Sequence, residues 1–337
     1  MNQRKFGRTG LQVSELCLGA MQFGWLVDEA TSFQLLDAYY AAGGRFIQTV
    51  GYGLEGAFPS GLSCSESVVG AWLQQHPGIR KELVLSTRIR PSQRSIPACR
   101  NLAEAVRHQC EASLRRLAVS HVDLLVCEWS DEFLPHDGVF LPIDEVLKGL
   151  DALLSIGNFR YIGSAGFPVW RLMESLGRSK ALKSCRFESL QADFSLLDDN
   201  LIHQGAHDLS KDYRVALLAQ SPLAGGFLTG AYSHKEAHPP SARKRRLLSR
   251  YANARGFATL TELEHIAREL DATSAQVALA WVLNQQNFAS VIVGFNSVEQ
   301  LQATVEAAQL HLDPDQMHRL ERAAAIPAGP EDAVLSL

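Results

Sequence analysis

Residue types that support metal or thiol chemistry occur along the chain, but they are scattered. None of the six cysteines is part of a CxxC motif, and no group of histidines and cysteines has the spacing of a metal site. Metal binding is therefore not expected. Cys17 and Cys127 lie in apolar stretches typical of strands, which favours buried, reduced thiols.

Anion binding is the second chemistry that the residue types allow. Residues 243–246 form a basic run, which a solvated loop explains better than a phosphate site. Since the net charge is −4, nothing favours binding to nucleic acid or to an anionic membrane. The N-terminus lacks a signal peptide's apolar stretch, and no run approaches the ~20 apolar residues of a membrane span. A cytoplasmic protein is expected.

The elements that must position any such site alternate regularly. Short apolar stretches predict strands, and longer amphipathic segments, such as residues 102–117 and 144–156, predict helices. Strands are expected at residues 16–19, 45–49, 83–87, 122–127, 159–163, 187–191, 215–219 and 291–293. This alternation predicts an α/β fold, a (β/α)₈ TIM barrel that forms one domain over residues 1–337.

Three segments depart from this alternation. The residues around Arg8-Thr9-Gly10 predict a small N-terminal β-hairpin that caps the bottom of the barrel. Residues 233–256 are polar and basic, and they predict a surface excursion after the seventh strand. Residues 327–337 contain prolines and small residues, so a weakly ordered tail is expected.

Several segments, in order along nearly the whole chain, are similar to the aldo-keto reductase family. They are FGRTGLQVSELCLGAMQFG from Phe6, YGLEG from Tyr52, SESVVGAWL from Ser65, SLRRLAVSHVDLL from Ser113, RYIGSAGF from Arg160, SPLAGGFLTG from Ser221, and AQVALAWVL followed by VIVGFNSVEQL. The resemblance implies a barrel that binds NADP(H) in extended form without a Rossmann motif and transfers a hydride to a carbonyl compound.

The family's catalytic tetrad is Asp, Tyr, Lys and His, and only the tyrosine is matched, by Tyr52. Gln48 stands at the aspartate position, Arg88 at the lysine position and Glu128 at the histidine position. The resemblance therefore places the catalytic group at these four residues, in an atypical form.

These replacements allow more than one interpretation. A phenol has a pKa near ~10 and needs a cation beside it to exchange protons, which Arg88 supplies permanently. In the first interpretation Arg88 pairs with Glu128 beside Tyr52, in a rewired site. In the second, the changes are drift in an inactive pocket. In the third, a protonated Glu128 polarises an enone, as in the family's steroid 5β-reductase branch, and this excludes the ion pair.

For the cofactor, the resemblance implies a pocket that is kept at its phosphate end and changed at its nicotinamide end. Gln191 is retained, but Ala165-Gly166 and Gln220 replace a Ser-Asn pair and a stacking aromatic, which predicts a weakened nicotinamide site. Asn296 stands where a basic residue often meets the 2′-phosphate, so NADP and NAD both stay possible. The expected cofactor contacts are Gly19, Ala20, Gln191, Gln220, Ser221, Leu223, Gly225, Gly294, Asn296, Ser297 and Gln300, and the expected substrate contacts are Trp25 and Trp129.

Three functions are compatible with these residues. The first is a divergent NAD(P)H-dependent oxidoreductase that acts on a carbonyl or enone of a specialised metabolite. The second is a barrel enzyme repurposed for proton transfer, dehydration or cyclisation, with weak or no nicotinamide binding. The third is a non-catalytic family member. NAD(P)H binding by the purified protein separates the first from the second.

Overall fold

The computed structural model describes residues 1–52, 64–90, 102–128, 142–231, 242–285 and 287–325. Strands β1 (Gln3–Lys5) and β2 (Gln12–Ser14) form an antiparallel hairpin, and eight parallel strands close into a barrel. The barrel strands are β3 (Leu16–Gly19), β4 (Phe46–Val50), β5 (Val84–Ile89), β6 (Val122–Glu128), β7 (Phe159–Ala165), β8 (Phe187–Asp193), β9 (Ala216–Gln220) and β10 (Phe288–Val293). The predicted (β/α)₈ barrel and its N-terminal hairpin are confirmed.

Helices surround the barrel. They are α1 (Glu29–Ala41), α2 (Cys64–Gln75), α3 (Leu102–Leu117), α4 (Ile143–Ser155), α5 (Val169–Leu182), α6 (Asn200–His203), α7 (Ala206–Tyr213), α8 (Ala242–Tyr251), α9 (Ala254–Glu269), α10 (Ser274–Asn284), α11 (Val298–Ala307) and α12 (Pro314–Ala324). Helix α3 has the predicted bounds, and α4 begins one residue earlier than predicted. Two helices begin at capping boxes, formed by Thr273 with Gln276 and by Asp313 with Gln316.

The hairpin closes the amino end of the barrel. Phe6, Leu11 and Val13 are buried in the cluster that fills the barrel interior. The ring of Phe6 contacts that of Phe46, at the start of β4, edge-to-face with centroids 6.0 Å apart. Because this end is filled with apolar side chains, a ligand site has to lie at the opposite end, where the strands finish.

The surface excursion expected at residues 233–256 is described in its second half, from residue 242 onward. Where the structure describes it, the chain is helical, in α8 and the start of α9. Leu247 and Tyr251 of α8 are buried against the barrel. Residues 233–241 of this segment and the expected tail at 327–337 lie outside the described residues.

Within the described ranges, no helix combines the length and apolar character needed to cross a membrane. Nor do the described residues contain a group of three or more His, Cys, Asp or Glu side chains that could hold a metal ion.

Candidate active site

The carboxyl ends of the barrel strands carry polar side chains that point inward. Side chains alternate between the two faces of a strand, so every second residue faces the interior. The inner core of the barrel contains the apolar side chains of Phe46, Val84, Leu124 and Leu218. Two or four residues further along each of these strands, a polar side chain lies on the same inward face. These inward polar positions, with the matching position on β8, are Gln48, Arg88, Glu128, Gln191 and Gln220.

Tyr52, two residues after β4, lies in a cluster of charges formed by β5 and β6. Its hydroxyl donates a hydrogen bond to Glu128 Oε2 and accepts one from Arg88 Nε at 2.8 Å. The same Nε lies 3.1 Å from Glu128 Oε2, so the ion pair expected in the rewired site is present. Arg90 Nη2 donates to Glu128 Oε1 at 2.8 Å, and its guanidinium lies 4.5 Å from the centre of the tyrosine ring. One carboxylate therefore joins two arginines and a phenol.

The protonation states of this cluster follow from its burial and its charges. Arg88 and Glu128 keep only 12% and 14% of their side-chain surface exposed, so water screens them poorly. Burial raises the pKa of Tyr52 to about 12, with Arg88 opposing the shift and Glu128 adding to it. Burial alone would raise the pKa of Glu128, but Arg88, Arg90 and the tyrosine hydroxyl outweigh it and hold that pKa below its usual range. At neutral pH the phenol is protonated and the carboxyl is ionised.

Three glutamines connect this cluster to the opposite wall of the barrel. Gln191 Nε2 donates to Gln48 Oε1 at 3.0 Å and to Gln220 Oε1 at 2.8 Å, while Gln48 Nε2 donates back to Gln191 Oε1 at 2.9 Å. Arg88 Nη1 donates to Gln220 Oε1 at 3.0 Å, and Gln220 Nε2 donates to Asp193 Oδ1 at 3.0 Å. The amide of Gln191 therefore uses both N–H groups and its carbonyl within the protein.

A buried carboxylate behind the strands holds the backbone next to the phenol and the guanidinium. Glu66 of α2 is fully buried, and it accepts hydrogen bonds from Thr87 Oγ1 at 2.5 Å and from Arg116 Nε at 2.8 Å. Arg116 Nη2 also donates to the Gly51 carbonyl at 3.3 Å, and the Gly51 amide donates to the Arg88 carbonyl at 2.7 Å. The residues that precede Tyr52 and Arg88 are thus tied to one ionic group, which fixes the spacing of β4 and β5 at the site.

A cleft of 460 Å³ extends from this polar mouth to the N-terminus of α11. Most of the predicted cofactor residues line it, namely Gly19, Gln191, Gln220, Ser221, Leu223, Gly225, Gly294, Asn296 and Gln300. Two others adjoin the cleft without lining its described part. Ala20 is fully buried, and Ser297 caps α11 by accepting a hydrogen bond from the Gln300 amide at 3.4 Å.

The lining residues fit a dinucleotide along most of the cleft. The start of α11 offers the positive end of a helix dipole to a phosphate or ribose. Gly225 has φ +66°, a conformation that favours glycine, and a Cβ there would lie only 2.9 Å from Leu247 Cδ1 of α8. A larger residue at this position would therefore be strained and would crowd Leu247. Among the described lining residues Arg88 is the one charged group. A ligand acceptor would have to displace Gln48 or Gln220 to reach the Gln191 N–H groups, whereas Gln191 Oε1 accepts one bond, from Gln48, and keeps a second lone pair for a ligand donor.

The structure places the two predicted substrate residues differently. Trp25 lies in the turn between β3 and α1 at the same end of the barrel, where Met21 and Gln22, rather than Trp25, belong to the described lining of the cleft. Trp129 lies outside the described residues. The sequence interpretation missed Arg90, although it follows Arg88 by two positions and therefore continues along the same face of the chain.

Several known proteins are similar to this chain over most of its length. Uncharacterized oxidoreductase YrpG of Bacillus subtilis is 29% identical over 335 residues and covers 98% of each chain. Norsolorinic acid reductase A of Aspergillus parasiticus is 25% identical, over 95% of this chain and 80% of its own. Aryl-alcohol dehydrogenase [NADP(+)] of Phanerodontia chrysosporium is 26% identical, over 92% of this chain and 82% of its own.

The family model for the aldo/keto reductase family matches residues 15–325, which include all eight barrel strands and every polar residue of the cluster around Tyr52. The chain therefore belongs to the aldo/keto reductase family.

Proposed function

We propose that this protein is a nicotinamide-dependent oxidoreductase that interconverts a carbonyl compound and an alcohol, with Tyr52 as the acid–base residue. One observation carries the proposal: the Tyr52 hydroxyl contacts both Glu128 and Arg88, and Arg88 also lines the cleft that extends to α11. A phenol that exchanges protons near neutral pH needs a cation and a second proton carrier beside it, and both are present.

The residues of the cleft support a cofactor with a firmly held phosphate end. The loop from Ser221 to Gly225 and the start of α11, with Asn296 and Gln300, would hold the phosphates and the adenosine. When bound, the nicotinamide supplies or accepts a hydride. Gln48 carries no charge, and its part is to orient the Gln191 amide. Because that amide is already engaged, we infer a weaker grip on the nicotinamide than a free glutamine provides.

The substrate class follows from the charge state of Glu128 and from the relatives. An ionised Glu128 accepts hydrogen bonds and cannot donate one, so the site favours a carbonyl/alcohol pair over an enone that needs a protonated carboxyl. One relative is named for aryl alcohols and another for norsolorinic acid. Together with exposed Met21 and Leu26 at the same barrel end, these names support an apolar, aryl-bearing specialised metabolite.

The experiment that tests this proposal measures binding before turnover. Titration with NADPH and with NADH should quench the protein's tryptophan fluorescence to saturation. Aryl aldehydes and aryl alcohols are then assayed by nicotinamide absorbance with the parent protein and with Tyr52→Phe. We expect Tyr52→Phe to bind the cofactor with unchanged Kd and to lose most turnover. Absence of saturable binding by either cofactor would contradict the proposal.

A second candidate is non-redox proton transfer, and the glutamine network favours it. Gln48, Gln191 and Gln220 satisfy one another in the place where the carboxamide is expected, so the protein's own side chains complete this part of the site. The phenol–carboxylate pair supports proton abstraction without a hydride carrier. Tyr52-dependent exchange of a substrate's α-hydrogen for deuterium, unaffected by added NADPH, would favour this candidate over the first.

A further inference from the structure

The direction of the hydrogen bonds at Tyr52 decides what its oxygen can do. A guanidinium only donates, so the contact from Arg88 Nε at 2.8 Å occupies one acceptor position of the phenol oxygen. An ionised carboxylate only accepts, so the single phenol proton lies on the side of Glu128 Oε2. What the oxygen has left for a substrate is its remaining lone pair. That lone pair can accept a proton from a substrate hydroxyl group. The phenol oxygen has no second proton to donate to a substrate carbonyl.

The charges around Glu128 keep its carboxyl group ionised, and therefore keep it a hydrogen-bond acceptor toward Tyr52. From β4 it faces Tyr52, and from β5 it faces Arg88 and Arg90, at 3.1 Å and 2.8 Å. On its other side, β7 places the uncharged Ala165 beside it in register. Among the described residues that contact it there are thus two permanent cations, one neutral phenol and no second carboxylate. A proton on Glu128 would weaken both ion pairs, so the carboxylate carries no proton in the resting site.

From this geometry we infer that Tyr52 and Glu128 form a proton relay that accepts a proton from the substrate, and that the substrate is an alcohol. The inference rests on the proposed oxidoreductase function. The alcohol O–H proton passes to Tyr52 Oη as the Tyr52 proton passes to Glu128 Oε2. The carbinol carbon loses its hydride to an oxidised nicotinamide, the C–O bond becomes a carbonyl, and Glu128 then releases the proton to water. Two electrons and two hydrogens leave the alcohol, one as hydride and one as proton.

The relay also sets how each direction depends on pH. Alcohol oxidation needs an ionised Glu128 and is therefore expected to be flat through neutral pH. Carbonyl reduction needs a protonated Glu128, so its rate falls about tenfold for each pH unit above the pKa of that carboxyl. Arg88 and Arg90 hold this pKa down, which confines reduction to acidic solution.

The first test needs no cofactor and no substrate. Ultraviolet difference titration follows phenolate formation, and subtraction of Tyr52→Phe isolates Tyr52 from the other tyrosines, of which the chain has seven in all. In the parent protein we expect no Tyr52 signal until strongly alkaline pH, since its pKa is raised to about 12. In Glu128→Gln, loss of the neighbouring negative charge should lower that midpoint by about 1–3 pH units. Glu128→Asp, which withdraws the carboxylate, should give a smaller shift and serves if the glutamine variant does not fold.

The second test compares directions. At neutral pH, we expect oxidation of an aryl alcohol to exceed reduction of its aldehyde, and Glu128→Gln to reduce oxidation at least tenfold. Glu111→Gln, which removes an exposed carboxylate paired with Arg107 on α3, should leave both directions unchanged. An unshifted Tyr52 midpoint in Glu128→Gln, or reduction that stays flat through neutral pH, overturns the relay. If neither direction is catalysed, the proposed redox function fails and the inferred alcohol substrate fails with it; a shifted midpoint then shows only that Glu128 and Tyr52 are electrostatically coupled.

Discussion

Replacement of Arg88 by lysine tests whether a guanidinium, rather than any cation, organises the site. Arg88 contacts Tyr52 and Glu128 through Nε and Gln220 through Nη1, at 2.8, 3.1 and 3.0 Å. In lysine a methylene stands at the position of Nε, and the single ammonium lies one bond further along the side chain. Arg88→Lys therefore keeps the charge but places an apolar group against the phenol oxygen.

The expected loss follows from the contacts that one ammonium can remake. Each hydrogen bond to a charged group contributes about 1.5–3 kcal/mol. If the ammonium regains Glu128 but not Tyr52 and Gln220 together, at least one such bond is lost at the reacting oxygen. Since 1.36 kcal/mol corresponds to about a factor of ten in rate, turnover should fall about 10- to 100-fold.

The assay is kcat/KM for the alcohol with saturating cofactor, beside the Tyr52 phenolate titration. Arg107→Lys on α3 is the matched control, because Arg107 and its partner Glu111 are both exposed. Turnover of Arg88→Lys within about threefold of the parent, at an unchanged Tyr52 midpoint, would show that charge alone suffices. The argument from guanidinium geometry would then be wrong.

Three further changes test the cofactor cleft. Gln220→Tyr restores an aromatic beside the nicotinamide and frees one N–H of the Gln191 amide, so the Kd for NAD(P)H should fall about 2- to 10-fold in fluorescence titration, as expected for one aromatic stack. Asn296→Arg adds a cation at the adenosine end, and the ratio of the NADH to the NADPH Kd should rise about tenfold or more. Leu247→Ala removes a buried side chain that packs on Gly225, so urea unfolding should show a loss of about 2–5 kcal/mol together with a weaker cofactor Kd.

The order of the strands was predictable because a barrel strand is buried on both faces. Stretches such as residues 122–127 and 215–219 contain mostly apolar residues, and the intervals between successive stretches leave room for helices. The ends were less predictable. β5 runs on to Ile89 and β8 to Asp193, because the last two residues of each still pair with neighbouring strands, although Arg88 and Asp193 are charged. Helix α8 was not predicted, because its sequence is dominated by arginine and lysine and only Leu247 and Tyr251 mark a buried face.

The residues that form the site were predictable from the sequence, but many of the hydrogen bonds between them were not. Alignment to the family placed Tyr52, Arg88 and Glu128 together, and the charges of the last two indicated their ion pair. The glutamine network could not be predicted in this way, since Gln48 and Gln191 are 143 residues apart and amides bond to many partners. Nothing in their spacing indicates that they meet; closure of the barrel brings them together.

The choice between a rewired site and drift in an inactive pocket turns on whether the replaced residues satisfy one another. Independent substitutions in a buried site leave donors and acceptors unpaired, at about 1–3 kcal/mol for each buried group. Here both oxygens of Glu128 are bonded to arginines. Gln48 and Gln220, which stand where the family has an aspartate and an aromatic, accept from both N–H groups of the retained Gln191. Arg90, which lies outside the four tetrad positions, adds a second cation beside Glu128. This second cation helps to keep Glu128 ionised while Arg88 also donates a hydrogen bond to Gln220. The arrangement favours a reorganised, proton-accepting site over drift in an inactive pocket.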